Sequence, residues 1–294
     1  METALILVRA LHFAVAMLIW GAAILRVVAF SPGTLCATQA WAVASARALA
    51  AANLLTALVW LFATAAIAGD GAAKALTPAV LGPLLSQTHF GHVWMVHLVL
   101  AAMLLLTTRQ DRPGLLALLA GANLAGLGLI GHAILPGGQM GYLHQALSVL
   151  HLLAAGFWLG GLVIVLPCLN ALTRPDHAAE AGQILRQFSR FGHLAVAVVF
   201  ATGAVKTLLI ATARGDFNPA PDYVALLTLK VLAACAMVGL ALLNRYRAVP
   251  RLATADQASA IRDLRRGTVA ELVLAAAVLA LVSTFAMWSP FAQT

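Results

Sequence analysis

Charge is what this chain has least of. Asp, Glu, Lys and Arg make up 10% of its 294 residues, where a soluble domain carries about 25%. Cysteine is nearly absent as well. Cys36, Cys168 and Cys235 lie far apart and form no CxxC pair, which excludes a disulfide framework or a zinc ribbon. Only ten acidic residues are present. Ser148 lies near His144 and His151, but no carboxylate stands close in sequence to orient a hydrolytic triad, and no enzymatic reaction is expected. The apolar runs do not alternate with period two, so a β-barrel is excluded. The short basic start of a signal peptide is missing too. The first apolar run, residues 4–30, is too long for a signal core and reads as a membrane helix.

What the chain has is hydrophobicity, 62% of its residues, in runs of about twenty or more. The expectation is an all-α polytopic bundle of eight transmembrane helices, forming a single transmembrane domain over 1–294. The spans read 4–30, 41–69, 90–108, 115–134, 143–172, 192–213, 223–244 and 268–288. A short interfacial helix fits the loop after the second span. Residues 175–190 are amphipathic and read as lying at the interface. A basic loop of about twenty residues separates the last two spans. The formal charge of +8 comes from short loops, so it anchors the protein in its bilayer and does not indicate nucleic acid. Arg109, Arg112, Arg174, Arg186, Arg190, Arg245, Arg247, Arg251, Arg262, Arg265 and Arg266 follow the third, fifth and seventh spans. Only Lys74 and Arg214 lie in the loops between. That bias puts the first group in the cytoplasm and both termini on the outer side.

On this topology seven of nine histidines fall in the outer half. His12, His97 and His151 each lie seven or eight residues into helices that run inward, about 10–12 Å below the outer edge. His89, His92, His132 and His144 lie at that edge. Imidazole within a membrane helix is costly and faces a protein interior, a cavity or a ligand. Imidazole also suits copper, zinc, iron and nickel, and the thioethers of Met95 and Met140 add a preference for Cu(I). His89 and His92, spaced i, i+3, can share a metal on a helix. His144 and His151 are two turns apart and belong to two layers, an outer receiving layer and a deeper one. His193, Glu271 and Cys168 are the candidates for an inner exit, and His177 reads as a solvated loop residue. Three readings stay open: a metal pathway, a b-type cytochrome with haem held between two of the matched-depth histidines, and a structural subunit that binds nothing. Asn53, Asn123, Lys206 and Lys230 are read as structural pairs, and Met17, Met103, Met237 and Met287 as core filler.

The segment His151-Leu152-Leu153-Ala154-Ala155-Gly156-Phe157-Trp158-Leu159-Gly160-Gly161-Leu162 packs an imidazole, two aromatics and three glycines into three turns. Such glycines let another backbone approach closely. This segment resembles the bacterial copper-resistance protein D family (CopD). So do Arg9-Ala10-Leu11-His12 with Gly21, Gly131-His132, Arg186-Gln187-Phe188-Ser189-Arg190-Phe191-Gly192, Thr202-Gly203, Leu229-Lys230-Val231 and residues 266–271, in family order over essentially the whole chain. The resemblance implies a multi-pass protein of the bacterial inner membrane. It implies copper resistance and homeostasis, with copper ions moved inward from the periplasm. It further implies a separate periplasmic copper-binding partner, CopC. His12, Trp158, Gly160 and Gly161 belong to the recognisable pattern.

Overall fold

A computed structural model describes residues 2–29, 37–110, 112–130, 138–212, 220–252, 254 and 256–285, and the regular structure among them is helical. The helices are α1 Glu2–Ala29, α2 Ala37–Ala68, α3 Pro78–Gln87, α4 His89–Thr107, α5 Pro113–Leu129, α6 Gln139–Ala171, α7 Pro175–Thr212, α8 Pro221–Leu243, α9 Val249–Arg251 and α10 Gln257–Phe285. Helix starts follow local chemistry. Pro78, Pro113 and Pro221 stand in the first turns of α3, α5 and α8, where proline costs no hydrogen bond. Thr88 caps α4 by accepting from the Gly91 N–H at 2.9 Å.

Seven of these helices are long and apolar enough to cross a membrane, and α5 is a shorter apolar helix packed among them. The bundle is thus a polytopic helical membrane protein. The expected interfacial helix in the loop after α2 is present as α3. Two expectations need correction. Residues 175–190 do not form a separate interfacial segment but the first turns of one continuous helix, α7. Their polar residues lie on one face, while Ala181 and Ile184 are buried, so the helix continues without a break. The basic stretch after α8 is also largely helical rather than a loop. A π-helical turn, Asn244–Ala248, carries α8 into α9, and α10 begins at Gln257, about eleven residues ahead of the expected start. Arg251 ties this corner together through Asp256 and Asp263, at 2.5 and 2.8 Å.

Helix α1 is central. It packs against α2, α5, α6, α7 and α10. Its closest approach is to α6, at the glycines. A Cβ built on Gly160 would stand 2.6 Å from the Gly21 Cα and 2.8 Å from the Met17 carbonyl oxygen, and one on Gly21 would strike the Gly156 carbonyl. The neighbours in each case are backbone atoms, which cannot swing aside. The next residue, Gly161, leaves room for the Phe188 ring. Around this crossing lies the main apolar core, with Met17, Trp60, Trp94, Leu124, Trp158, Leu162 and Met237.

Gly160→Val is therefore expected to lower stability by more than the ~1–3 kcal/mol of ordinary overpacking. Gly239→Ala, where a Cβ meets nothing within 4 Å, is expected to be neutral or slightly stabilising. Thermal unfolding of the two variants in detergent checks the contrast.

Candidate functional site

Four helices of the first half each send a polar side chain to one buried point. His12 comes from α1, Thr56 from α2, His97 from α4 and Asn123 from α5. His12, Asn53 and Asn123 are fully buried, and His97 is 1% exposed. The Nε2 atoms of His12 and His97 face each other at 2.9 Å. Trp94 stacks on the His97 ring, with centroids 4.8 Å apart and planes at 12°. Trp60 meets His12 edge-on at 5.6 Å, and the Arg9 guanidinium lies over the outer face of Trp60 at 5.2 Å.

Hydrogen bonds fix the proton on His12. The Thr56 hydroxyl has one proton, and its oxygen lies 2.7 Å from the Ala52 carbonyl and 3.1 Å from that of Asn53. That proton is spent on backbone. The Thr56 oxygen, 2.7 Å from His12 Nδ1, must then accept, so His12 carries its proton on Nδ1. Its Nε2 lone pair is left pointing at His97. A ring whose second nitrogen donates to a fixed acceptor is how proteins hold a metal-ligating histidine in place. His97 is held from the other side. The Asn123 amide nitrogen donates to the His97 carbonyl at 3.2 Å and touches the ring, and Asn53 donates to Asn123 Oδ1 at 3.0 Å. The asparagines thus form the structural pair expected of them. In the state described, one imidazole N–H of His97 donates to the His12 lone pair. Metal–imidazole bonds are about 2.0–2.1 Å. An ion between the two Nε2 atoms would hold them roughly 3.3–4 Å apart, an opening of about 1 Å or less.

His151 does not join this pair, although its depth along α6 is comparable. Among the described residues no three His, Cys, Asp or Glu side chains converge on one point. The His151 ring turns to α7, where its Nδ1 lies 2.9 Å from the Thr202 oxygen. Thr202 in turn gives its proton to the Val198 carbonyl at 2.6 Å. The tautomer logic of His12 is repeated, and Nε2 is again the free base.

The edge histidines are spread apart. His89 Nε2 donates to the Leu129 carbonyl at the end of α5, at 3.0 Å, and His92 Nε2 donates to the Ser86 carbonyl of α3, at 2.9 Å. The two rings point to different helices. His144 is half-buried, one turn into α6. Met95 and Met140 are exposed and turned outward, at 43% and 57%. His132 lies outside the described residues. At the other end of the bundle, His193 is exposed and donates from Nδ1 to the Ser189 carbonyl at 2.5 Å. Glu271 is 2% exposed and accepts from Asn244 at 2.9 Å. Sequence reasoning missed Thr56, Trp60 and Trp94. A threonine one turn before a tryptophan in an apolar run carries no distinctive spacing.

A helical membrane bundle with a paired-imidazole centre in its first half is thus the class of protein on the page. Residues 1–142 match the N-terminal domain of copper resistance protein D-like proteins, and residues 182–285 match copper resistance protein D. Over 244 residues the chain is 34% identical to the inner membrane protein YebZ of Escherichia coli (strain K12), covering 81% of this chain and 82% of that one. It is 29% identical over 219 residues to copper resistance protein D of Pseudomonas syringae pv. tomato, covering 70% and 71%. No solved structure matches. The chain belongs to the copper resistance protein D family.

Thr56→Val removes the acceptor for a buried imidazole N–H. It is expected to cost about 1–3 kcal/mol, while Thr56→Ser stays near wild type. Thermal unfolding in detergent measures both, and a nitrogen spectrum of His12 should show the Nδ1–H tautomer lost in the valine variant alone.

Proposed function

We propose that this protein is a copper homeostasis and resistance protein of the bacterial inner membrane. It accepts copper ions at the histidine-bearing end of the bundle and passes them inward through the His12–His97 pair. The observation that carries the reading is the 2.9 Å approach of two buried Nε2 atoms, with the His12 proton committed elsewhere. Two imidazoles facing one another suit copper in either common oxidation state.

His89, His92, His132 and His144, with Met95 and Met140, form the outer receiving layer in this reading. His151 is a second, weaker station, and Glu271 and His193 lie toward the exit. The arginine bias puts the receiving end and both termini in the periplasm, where a separate CopC-like protein would deliver copper. The whole chain acts as one transmembrane domain. The reading with haem as a b-type cofactor draws no support from the geometry. The two rings already touch, and Trp60 and Trp94 occupy the flanks that a porphyrin would need.

Copper titration of the purified protein in detergent, read by mass spectrometry of bound metal, tests the assignment. Relative to wild type, His97→Ala is expected to weaken binding by well over tenfold. His151→Ala is expected to weaken it less, and His177→Ala not measurably. Unchanged copper content in the His97 variant would refute the pair as the site.

A further inference from the structure

The His12–His97 pair offers a metal two nitrogens and little else, and that scarcity discriminates among ions. His12 is fully buried and His97 is 1% exposed, so bulk water does not reach the facing nitrogens. The groups around the two rings do not ligate. Trp94 covers the face of His97 and Trp60 meets His12 edge-on, and an indole has no lone pair to give a metal. The Thr56 oxygen is held at the other nitrogen of His12, Nδ1, at 2.7 Å. Asn123 turns its amide nitrogen, not its oxygen, to the pair, 3.3 Å from His97 Nε2. Two bonds fix that orientation. The nitrogen donates to the His97 carbonyl at 3.2 Å, and the oxygen accepts from Asn53 at 3.0 Å. Among the described residues no third His, Cys, Asp or Glu side chain joins the two.

Negative charge is as scarce as ligands. Helices α2, α4 and α5 contain no Asp or Glu. The acidic residue of α1 is Glu2, ten residues before His12, or about 15 Å along the helix. A positive group stands much closer, since the Arg9 guanidinium lies over the Trp60 ring that touches His12. The cost of burying an ion grows with the square of its charge, so an uncompensated dication costs about four times as much as a monocation of the same size. Copper(II) prefers a tetragonal set of nitrogen and oxygen ligands, and Zn(II) takes four in a tetrahedron. The pair supplies neither the ligands nor the counter-charge. Copper(I) has a filled d shell and one charge, and two nitrogens in a dry site satisfy it. Imidazole alone accepts either copper state; ligand count and local charge decide between them.

We propose that the His12–His97 pair is selective for Cu(I) and rejects Cu(II) and Zn(II). The inference rests on the reading of the pair as a copper site and adds the oxidation state that it takes. It concerns binding alone and includes no electron transfer. Asn123 is a specificity-determining residue in this account, because its fixed amide keeps an oxygen ligand away from the ion.

The test uses the full-length protein in detergent without oxygen. Cu(I) is buffered by bicinchoninate, and Cu(II) and Zn(II) by nitrilotriacetate. The site is read as the metal that wild type binds and His97→Ala does not. Wild type is expected to hold one such Cu(I), with Zn(II) weaker there by about a hundredfold or more. Cu(II) binding is expected to be the same in wild type and His97→Ala. Asn123→Asp sets a carboxylate beside the pair and is expected to narrow the preference for Cu(I) over Zn(II) by about tenfold or more, which a merely structural role for Asn123 would not do. Should the variants fail to fold, wild type alone decides. One Cu(I) that shows two imidazole nitrogens at the copper edge and resists an about hundredfold excess of Zn(II) supports the proposal, and its displacement overturns it. Equal His97-dependent binding of Cu(I) and either dication would overturn the selectivity and leave the pair a copper site. Binding of all three ions that His97→Ala leaves unchanged would remove the copper reading of the pair as well.

Discussion

An imidazole kept out of water must have every nitrogen accounted for, and much of the first half of this bundle is arranged to meet that demand. His12 and His97 satisfy each other through Nε2. Thr56 absorbs the remaining proton of His12, and Asn123 braces His97 from α5. Each partner comes from a different helix. Moving any one helix by an ångström breaks a bond whose loss leaves a buried donor or acceptor bare. Trp94 binds the arrangement further, since its ring stacks on His97 while its indole N–H donates to the Ala57 carbonyl of α2 at 3.2 Å.

The glycine crossing of α1 and α6 links this network to the other half. Helix α1 carries His12 and, nine residues on, Gly21. With no side chain at Gly21, Gly156 or Gly160, α6 lies directly on α1. Helix α6 then presents Phe157 and Gly161 to α7 and Trp158 toward Glu271 of α10. The second half is looser. Helices α7 and α8 separate, and the space between them is the cavity that Glu271 lines. A polar centre held by α1, α2, α4 and α5 and a cavity walled by α6, α7, α8 and α10 thus meet across the α1–α6 crossing.

Much of this was legible in the sequence because membrane helices are governed by length, hydropathy and the cost of polar groups. The eight apolar helices, the short helix after α2 and the close-packing glycines follow from those terms. The equal depth of His12 and His97 does too, since depth depends only on residue count from the helix end. Depth does not fix rotation about the helix axis, which is why His151 shares the depth and not the partner. Thr56 stayed silent for a related reason. A small polar side chain in an apolar run looks the same whether it bonds its own backbone or also orients a neighbour's ring. The amphipathic pattern of residues 175–190 suits an interfacial segment and the first turns of a longer helix equally, and the structure makes them the start of α7.

X-ray absorption at the copper edge on the copper-loaded, full-length protein bears most directly on the central claim. The account predicts copper bound by two imidazole nitrogens, with the ring scattering of two histidines, and loss of one of them in His12→Ala with His97 intact. Copper bound without imidazole scattering would contradict it, as would a spectrum that His12→Ala leaves unchanged.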